Sequence, residues 1–80
     1  MDNIVLVERF LKLGVDPNLQ NNLGVTPLML WCLEGWYDAV KLTLDLFPDI
    51  DLDVCDNWGK TAFDYASRYP KVQELLQVKD

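Results

Sequence analysis

Residues 21–28 read Asn-Asn-Leu-Gly-Val-Thr-Pro-Leu, and residues 56–63, 35 positions further along, read Asp-Asn-Trp-Gly-Lys-Thr-Ala-Phe. Gly, Thr and the apolar residue that ends each stretch lie in the same register. The match extends upstream, because residues 14–18 (Gly-Val-Asp-Pro-Asn) precede the first copy as residues 49–53 (Asp-Ile-Asp-Leu-Asp) precede the second. Three shared features at one offset indicate an internal repeat, which is the sequence signature of a repeat architecture.

Each copy predicts a tight turn that leads into a helix. Gly24 and Gly59 tolerate the positive φ of such a turn, and Thr26 and Thr61 are suited to cap the helix that follows. Apolar spacing and the breaks at Gly and Pro predict further helices. The predicted helices cover residues 3–13, 26–33, 37–46 and 61–67, with a last helix from Pro70 onward.

Length and composition limit the function of the chain. Its 80 residues and 9.2 kDa allow one small domain, half of it apolar. A net charge of -6 repels a phosphate backbone, which argues against direct nucleic-acid binding. With no histidine and with Ser67 as the only serine, Ser-His and Cys-His nucleophile pairs are excluded. We therefore expect no enzyme, no catalytic residues, no metal site and no cofactor.

The cysteines and the apolar runs indicate the compartment. Cys32 and Cys55 are too few for a disulfide-rich secreted scaffold, and both are predicted to be buried thiols. The apolar runs at residues 4–7 and 28–33 are much shorter than the roughly 20 residues that span a bilayer. The first residues have no basic signal-peptide start. The prediction is a cytoplasmic protein without a membrane partner.

The order turn, short helix, sharp turn, longer helix and hairpin resembles the ankyrin repeat. The hallmarks of that family are a Gly-x-Thr-Pro-Leu-His helix start, a Gly-His between helices and a Gly-Ala-Asp-x-Asn approach to the hairpin. Residues 24–28, Gly35 and residues 14–18 match them, and residues 59–66 resemble the common C-terminal variant. The resemblance implies an all-α solenoid of antiparallel helix pairs joined by short β-hairpin-like loops.

The resemblance also implies a division of the chain into about two and a half repeats. Residues 1–80 form a single ankyrin-repeat domain, with a half repeat at 1–20, a full repeat at 21–55 and a C-terminal capping repeat at 56–80. Met29 replaces the usual histidine, so a local hydrogen bond of the family is expected to be missing, whereas Asp64 could still reach its Thr. Trp31 replaces a small alanine, so its ring either fills space next to a helix or faces a partner. Trp36 also takes a usual histidine position.

Aspartates are concentrated after the third predicted helix. Residues 49–53 look like the start of a calcium loop, but Val54 follows the third acid and Lys60 stands at the twelfth position, which rules that loop out. The alternation of acids with apolar residues predicts an extended hairpin arm instead. The acids form a solvated edge or steer a basic partner, and both interpretations stay open. They are Asp45, Asp49, Asp51, Asp53 and Asp56.

A partner-binding surface follows from the resemblance, because ankyrin-like stacks bind through their hairpin tips and the concave side of their first helices. Leu23 and Trp58 occupy equivalent tip positions and are predicted to form an apolar ridge, unless both fold over neighbouring loops to cover a thin core. The predicted partner-binding residues are Leu23, Val25, Leu33, Glu34, Trp58, Lys60, Arg68 and Tyr69.

Three hypotheses for the function follow. The first is a non-enzymatic protein-protein interaction module, an adaptor or an inhibitor, that binds through hairpin tips and concave helix face. The second is an assembly subunit or fragment that associates with another copy through its apolar N-terminal helix. The third is an acidic mimic of nucleic acid that inhibits a basic protein.

Overall fold

The computed structural model describes residues 3–77 and contains five helices in that range. Four of them follow the predicted helices closely. The fourth helix is shorter than the predicted residues 61–67, because residues 66–68 form a turn that leads to Pro70. The helices are α1 (Ile4–Lys12), α2 (Pro27–Leu33), α3 (Tyr37–Leu46), α4 (Ala62–Tyr65) and α5 (Pro70–Gln77).

The helices stack in two layers. In one layer α3 packs against both α1 and α5, and in the other α2 packs against α4. Contacts of α2 with α3 and of α4 with α5 join the layers. The core between them consists mainly of small and medium apolar side chains, together with the larger Met29 and Trp31. Its most buried members include Leu28, Cys32, Ala39, Val40, Ala66 and Val72.

Both short helices begin with a reciprocal threonine cap. Thr61 N–H donates to Asp64 Oδ2 at 3.0 Å and Asp64 N–H donates to Thr61 Oγ1 at 3.4 Å, so Asp64 reaches its threonine as predicted. The prediction that Met29 leaves the equivalent bond unmade is wrong. Thr26 N–H donates to Met29 Sδ at 3.4 Å, and Met29 N–H donates to Thr26 Oγ1 at 3.1 Å. A buried thioether sulfur accepts the bond in place of an imidazole.

Trp31 is an internal packing residue. Its side chain is only 8% exposed, and its ring meets that of Phe10 edge-on, with centroids 5.6 Å apart and an interplanar angle of 87°. Such T-shaped pairs are favourable beyond the area that they bury. The large ring in a position where the family has alanine therefore fills space beside α1 and does not face a partner.

The arm before the second hairpin alternates as predicted, with Ile50, Leu52 and Val54 half-buried and the aspartates between them exposed. Asn18 and Gln20 tie the two hairpins together: Asn18 Nδ2 donates to the Asp51 carbonyl at 2.8 Å and Gln20 Nε2 to the Cys55 carbonyl at 2.9 Å. The prediction that Cys55 is buried is wrong. The same alternation places its side chain in solvent, whereas Cys32 is fully buried.

Candidate protein-binding face

The two hairpin tips have the same hydrogen-bonded turn. In the first copy, Asn21 Oδ1 accepts from the N–H groups of Leu23 and Val25 at 2.9 and 3.0 Å. In the second copy, the oxygen of an aspartate replaces that of the asparagine. Asp56 Oδ1 accepts from the N–H groups of Trp58 and Lys60, both at 2.9 Å. A side-chain acceptor two residues before each tip thus fixes its backbone.

The tips are also bonded to each other. Asn57 N–H donates to the Leu23 carbonyl at 2.9 Å, and Asn57 Nδ2 donates to the Asn22 carbonyl at 3.1 Å. Gly24, at φ +78°, lies so close to this contact that a Cβ there would stand 2.9 Å from Asn57 Oδ1. The two tips are therefore held in a fixed register, with the Leu23 side chain 51% exposed and the Trp58 side chain 66% exposed.

Asp56 is locked by a second partner. The hydroxyl of Tyr65 donates to Asp56 Oδ2, which leaves neither carboxylate oxygen unpaired. This bond lowers the pKa of Asp56 from its ordinary value and raises the pKa of Tyr65 to about 12. The inclusion of Asp56 in the solvated acidic edge is wrong, because its side chain is buried and bonded within the hairpin.

A groove lies beside the second tip, with a volume of about 440 Å³. We call it the tip groove. It brings together three of the predicted partner-binding residues: Trp58 and Lys60, which are two positions apart, and Leu33 from the preceding repeat. Its lining residues are Leu33, Asp56, Trp58, Lys60, Asp64, Tyr65 and Ser67.

The other predicted residues differ in their surroundings. Glu34, at the C-terminal end of α2, and Arg68 are exposed. Val25 is half-buried and packs against the core, so only part of its side chain is available to a partner. The ring of Tyr69 is 39% exposed and lies over Gly35, where a Cβ would come within 2.5 Å of its Cε1 atom. Tyr69 therefore presents only one part of its surface to solvent.

Sequence reasoning missed Tyr65 and Ser67 as parts of this surface. Tyr65 lies nine positions after Asp56, and the pair meets only because the hairpin folds back on α4. Ser67 follows α4 in the turn toward α5. The available signal for Tyr65 was its position one helical turn after the capping residue Thr61. Many sequences have a polar or phenolic residue at that position, so the signal did not single out Tyr65.

The tip groove combines apolar and charged side chains. The tip groove offers an indole, a leucine, a lysine and a carboxylate that already caps α4. Within residues 3–77, no three cysteines, aspartates or glutamates stand close enough to bind a metal ion. In the same range no helix combines the length and apolar character needed to cross a membrane.

Comparison with known proteins gives consistent matches. A family model described as ankyrin repeats in three copies matches residues 2–79. An ankyrin repeat protein of Acanthamoeba polyphaga mimivirus is 32% identical in an 80-residue alignment that covers 98% of this chain and 14% of that protein. A chain from the solved complex of a predatory endopeptidase of Bdellovibrio bacteriovorus with an immunity protein matches with a TM-score of 0.71 and 32% identity. That match covers 86% of this chain and 36% of the solved chain.

Proposed function

Because this chain belongs to the ankyrin repeat family, whose members are generally protein-interaction modules, we propose that it is a non-enzymatic module that binds a partner through its hairpin tips and concave helix face. The observation that carries the proposal is the pair of exposed tip residues, Leu23 and Trp58, on a backbone held by Asn57. Because the backbone of the tips is already fixed, binding does not have to order the loops that present these side chains.

The predicted residues divide into two roles on this face. Leu23, Trp58 and Leu33 supply exposed apolar area, and of the three Trp58 belongs to the residue types that contribute much of the energy of protein interfaces. Lys60, Glu34 and Arg68 supply charges of both signs around them, which give specificity more than affinity. Val25 and Tyr69 expose smaller fractions of their side chains.

An inhibitory role is the form of this function that we favour. The solved complex with the similar chain pairs an endopeptidase with an immunity protein, which supports a role in which this scaffold binds an enzyme. The acidic charge of this chain suits a basic partner, which we propose for it. We propose a cytoplasmic setting for the interaction.

An affinity pull-down from the lysate of the source organism tests the binding face. The wild type is run beside Leu23→Ser/Trp58→Ser, and captured proteins are identified by mass spectrometry. The matched control, Leu19→Ser/Leu46→Ser, removes two leucines that are 61% and 52% exposed away from the tips. We expect a partner that the wild type and the control retain and the tip variant loses. A partner that all three retain would contradict the proposal.

Self-association through α1 is the second candidate function. Val5, Leu6 and Leu13 are 61%, 64% and 81% exposed, an unusually apolar surface for one helix and its end. Sedimentation velocity over a range of concentrations tests this candidate, with Val5→Ser/Leu6→Ser as the variant. Self-association predicts a dimer in the wild type that the variant loses, and a wild type that stays monomeric at high concentration contradicts it.

A further inference from the structure

A second groove lies between the end of α3, the loop that follows it and α5, and shares no residue with the tip groove. We call it the acidic groove. Its volume is about 680 Å³, which is larger than that of the tip groove and in the range of ligand-binding clefts. A smaller hollow of about 290 Å³ shares Leu52 and Asp53 with it and continues it toward Phe63.

The apolar part of the groove lining rests on the hydrophobic core. It consists of Leu44, Ile50, Leu52 and Leu75, which are all half-buried and packed against the core. These side chains come from a helix, an extended arm and a second helix, so the surface that they form is fixed by the stacking of the repeats. An aliphatic side chain placed on it would bury apolar area without any rearrangement of the protein.

The charged part of the lining is mostly acidic. It contains one base, Lys41, and four exposed aspartates, Asp45, Asp49, Asp51 and Asp53. Within residues 3–77 these carboxylates do not form a group that could hold a metal ion. Asp51 Oδ1 accepts the N–H of Asp53 at 2.8 Å, while the other three line the groove without such a role in the loop.

We infer that the acidic groove binds a basic peptide segment of another protein, in which Lys or Arg flanks aliphatic residues. The aliphatic side chains enter the groove and cover its apolar lining. The basic side chains lie along its edges, because their long stems cover apolar surface while their charged ends reach the carboxylates. Nucleic acids and anionic membranes do not fit, since their negative charge meets four aspartates. The inference is independent of the tip groove.

Two synthetic nine-residue peptides with the same charge test this inference. In one, lysine alternates with leucine, and in the other it alternates with serine. Binding to the full chain is measured by fluorescence polarisation, and contacts are mapped by amide chemical shifts. We expect the Lys/Leu peptide to bind more tightly than the Lys/Ser peptide, because only leucine covers the apolar lining. We expect the shifts to cluster at residues 41–53 and at Leu75.

Two triple variants separate the groove from net charge. Asp45→Asn/Asp49→Asn/Asp53→Asn neutralises the groove and keeps Asp51, whose bond holds the loop. The control, Glu8→Gln/Asp38→Asn/Glu74→Gln, neutralises three acids that line neither groove, so each variant moves the net charge from -6 to -3. Exposed ion pairs are individually weak, so we expect the groove variant to lose at least about fivefold in affinity and the control less than about twofold. Circular dichroism verifies that both variants stay folded.

Four results would overturn the inference. Equal losses in the two triple variants would mean that the peptide responds only to net charge. Equal binding of the Lys/Ser and Lys/Leu peptides would mean that the apolar lining is not used. Shifts that map to Trp58 and its neighbours would place binding at the tip groove. Absence of binding at millimolar peptide concentration would mean that the groove does not recognise this chemistry.

Discussion

Asp56 shows how one side chain shapes the binding face. Its Oδ1 atom fixes the backbone on either side of Trp58, and its Oδ2 atom accepts the hydroxyl of Tyr65. Asn21 has the same turn role in the first copy, where the residue 35 positions before Tyr65 is Leu30, which has no hydroxyl. The second tip therefore has an additional tie between hairpin and helix, and it is the tip that exposes the tryptophan.

Tyr65→Phe is predicted to lower the free energy of unfolding at neutral pH, because it removes the largest cause of the lowered pKa of Asp56. A lowered carboxyl pKa stabilises the fold above the unfolded value, about 3.9, and this contribution is lost as pH falls through the folded value. A raised tyrosine pKa stabilises the fold below about pH 10. That contribution is lost as pH rises toward the folded value of about 12.

The difference in unfolding free energy between wild type and Tyr65→Phe is therefore expected to be largest between about pH 5 and pH 9 and to narrow on both sides. Urea denaturation at a series of pH values measures it. Tyr37→Phe is the control, since Tyr37 is also partly exposed and has no bond to Asp56. A difference that does not change with pH would mean that the Asp56–Tyr65 bond does not form.

The two thiols are predicted to react at very different rates. Burial raises the pKa of the Cys32 thiol to about 12, whereas Cys55 is exposed. The thiolate is the reactive form, so a disulfide reagent at pH 8 should modify Cys55 quickly and Cys32 only as the chain unfolds. Cys55→Ser should abolish the fast phase. Two fast phases, or a fast phase that survives in this variant, would contradict the assigned burial.

At the scale of elements, the stacked hairpins determine how the tips are presented. Gly24 and Gly59 both have φ +78°, but only Gly24 lies against the neighbouring hairpin, with a Cβ position 3.0 Å from Asn57 N. No heavy atom lies within 4 Å of the Cβ position at Gly59. The two glycines thus form a natural pair for separating the cost of backbone conformation from the cost of close approach.

Gly59→Ala is predicted to lower the free energy of unfolding by about 1 kcal/mol, because an L-residue is strained at this positive φ. Gly24→Ala carries the same strain and also pushes the two hairpins apart, which should cost at least about 1 kcal/mol more. Chemical denaturation of both variants measures the difference. Equal losses would show that the contact between Gly24 and Asn57 does not constrain the hairpins.

At the scale of the whole molecule, local features were predictable and contacts between distant segments were not. The Gly-x-Thr repeat predicted the turns, the caps and the family, because these depend on residues a few positions apart. Cys55 is exposed because buried and exposed side chains alternate along the extended arm at residues 50–55. Asp56 is buried where it bonds to Tyr65 in the next helix. Trp31 could not be placed from the sequence, since the ring that packs on it, Phe10, belongs to another helix.

Of the eight predicted partner-binding residues, three line the tip groove. Their convergence could not be read from the sequence, because Leu33 lies at the end of α2 while Trp58 and Lys60 belong to the next repeat. Only the packing of α2 against α4 brings them together. The acidic groove was visible as a run of aspartates, but its apolar lining depends on Leu75 from α5.

The central claim, that the tips carry the binding energy, is tested most directly by the affinity for the captured partner, measured by isothermal titration calorimetry. The three proteins are the wild type, Leu23→Ser/Trp58→Ser and the control Leu19→Ser/Leu46→Ser. Truncation of one hot-spot anchor costs about 2 kcal/mol or more, and Trp58 is the aromatic anchor of the pair, so we predict a loss of about thirtyfold or more for the tip variant and little change for the control. Unchanged affinity in a folded tip variant would contradict the account.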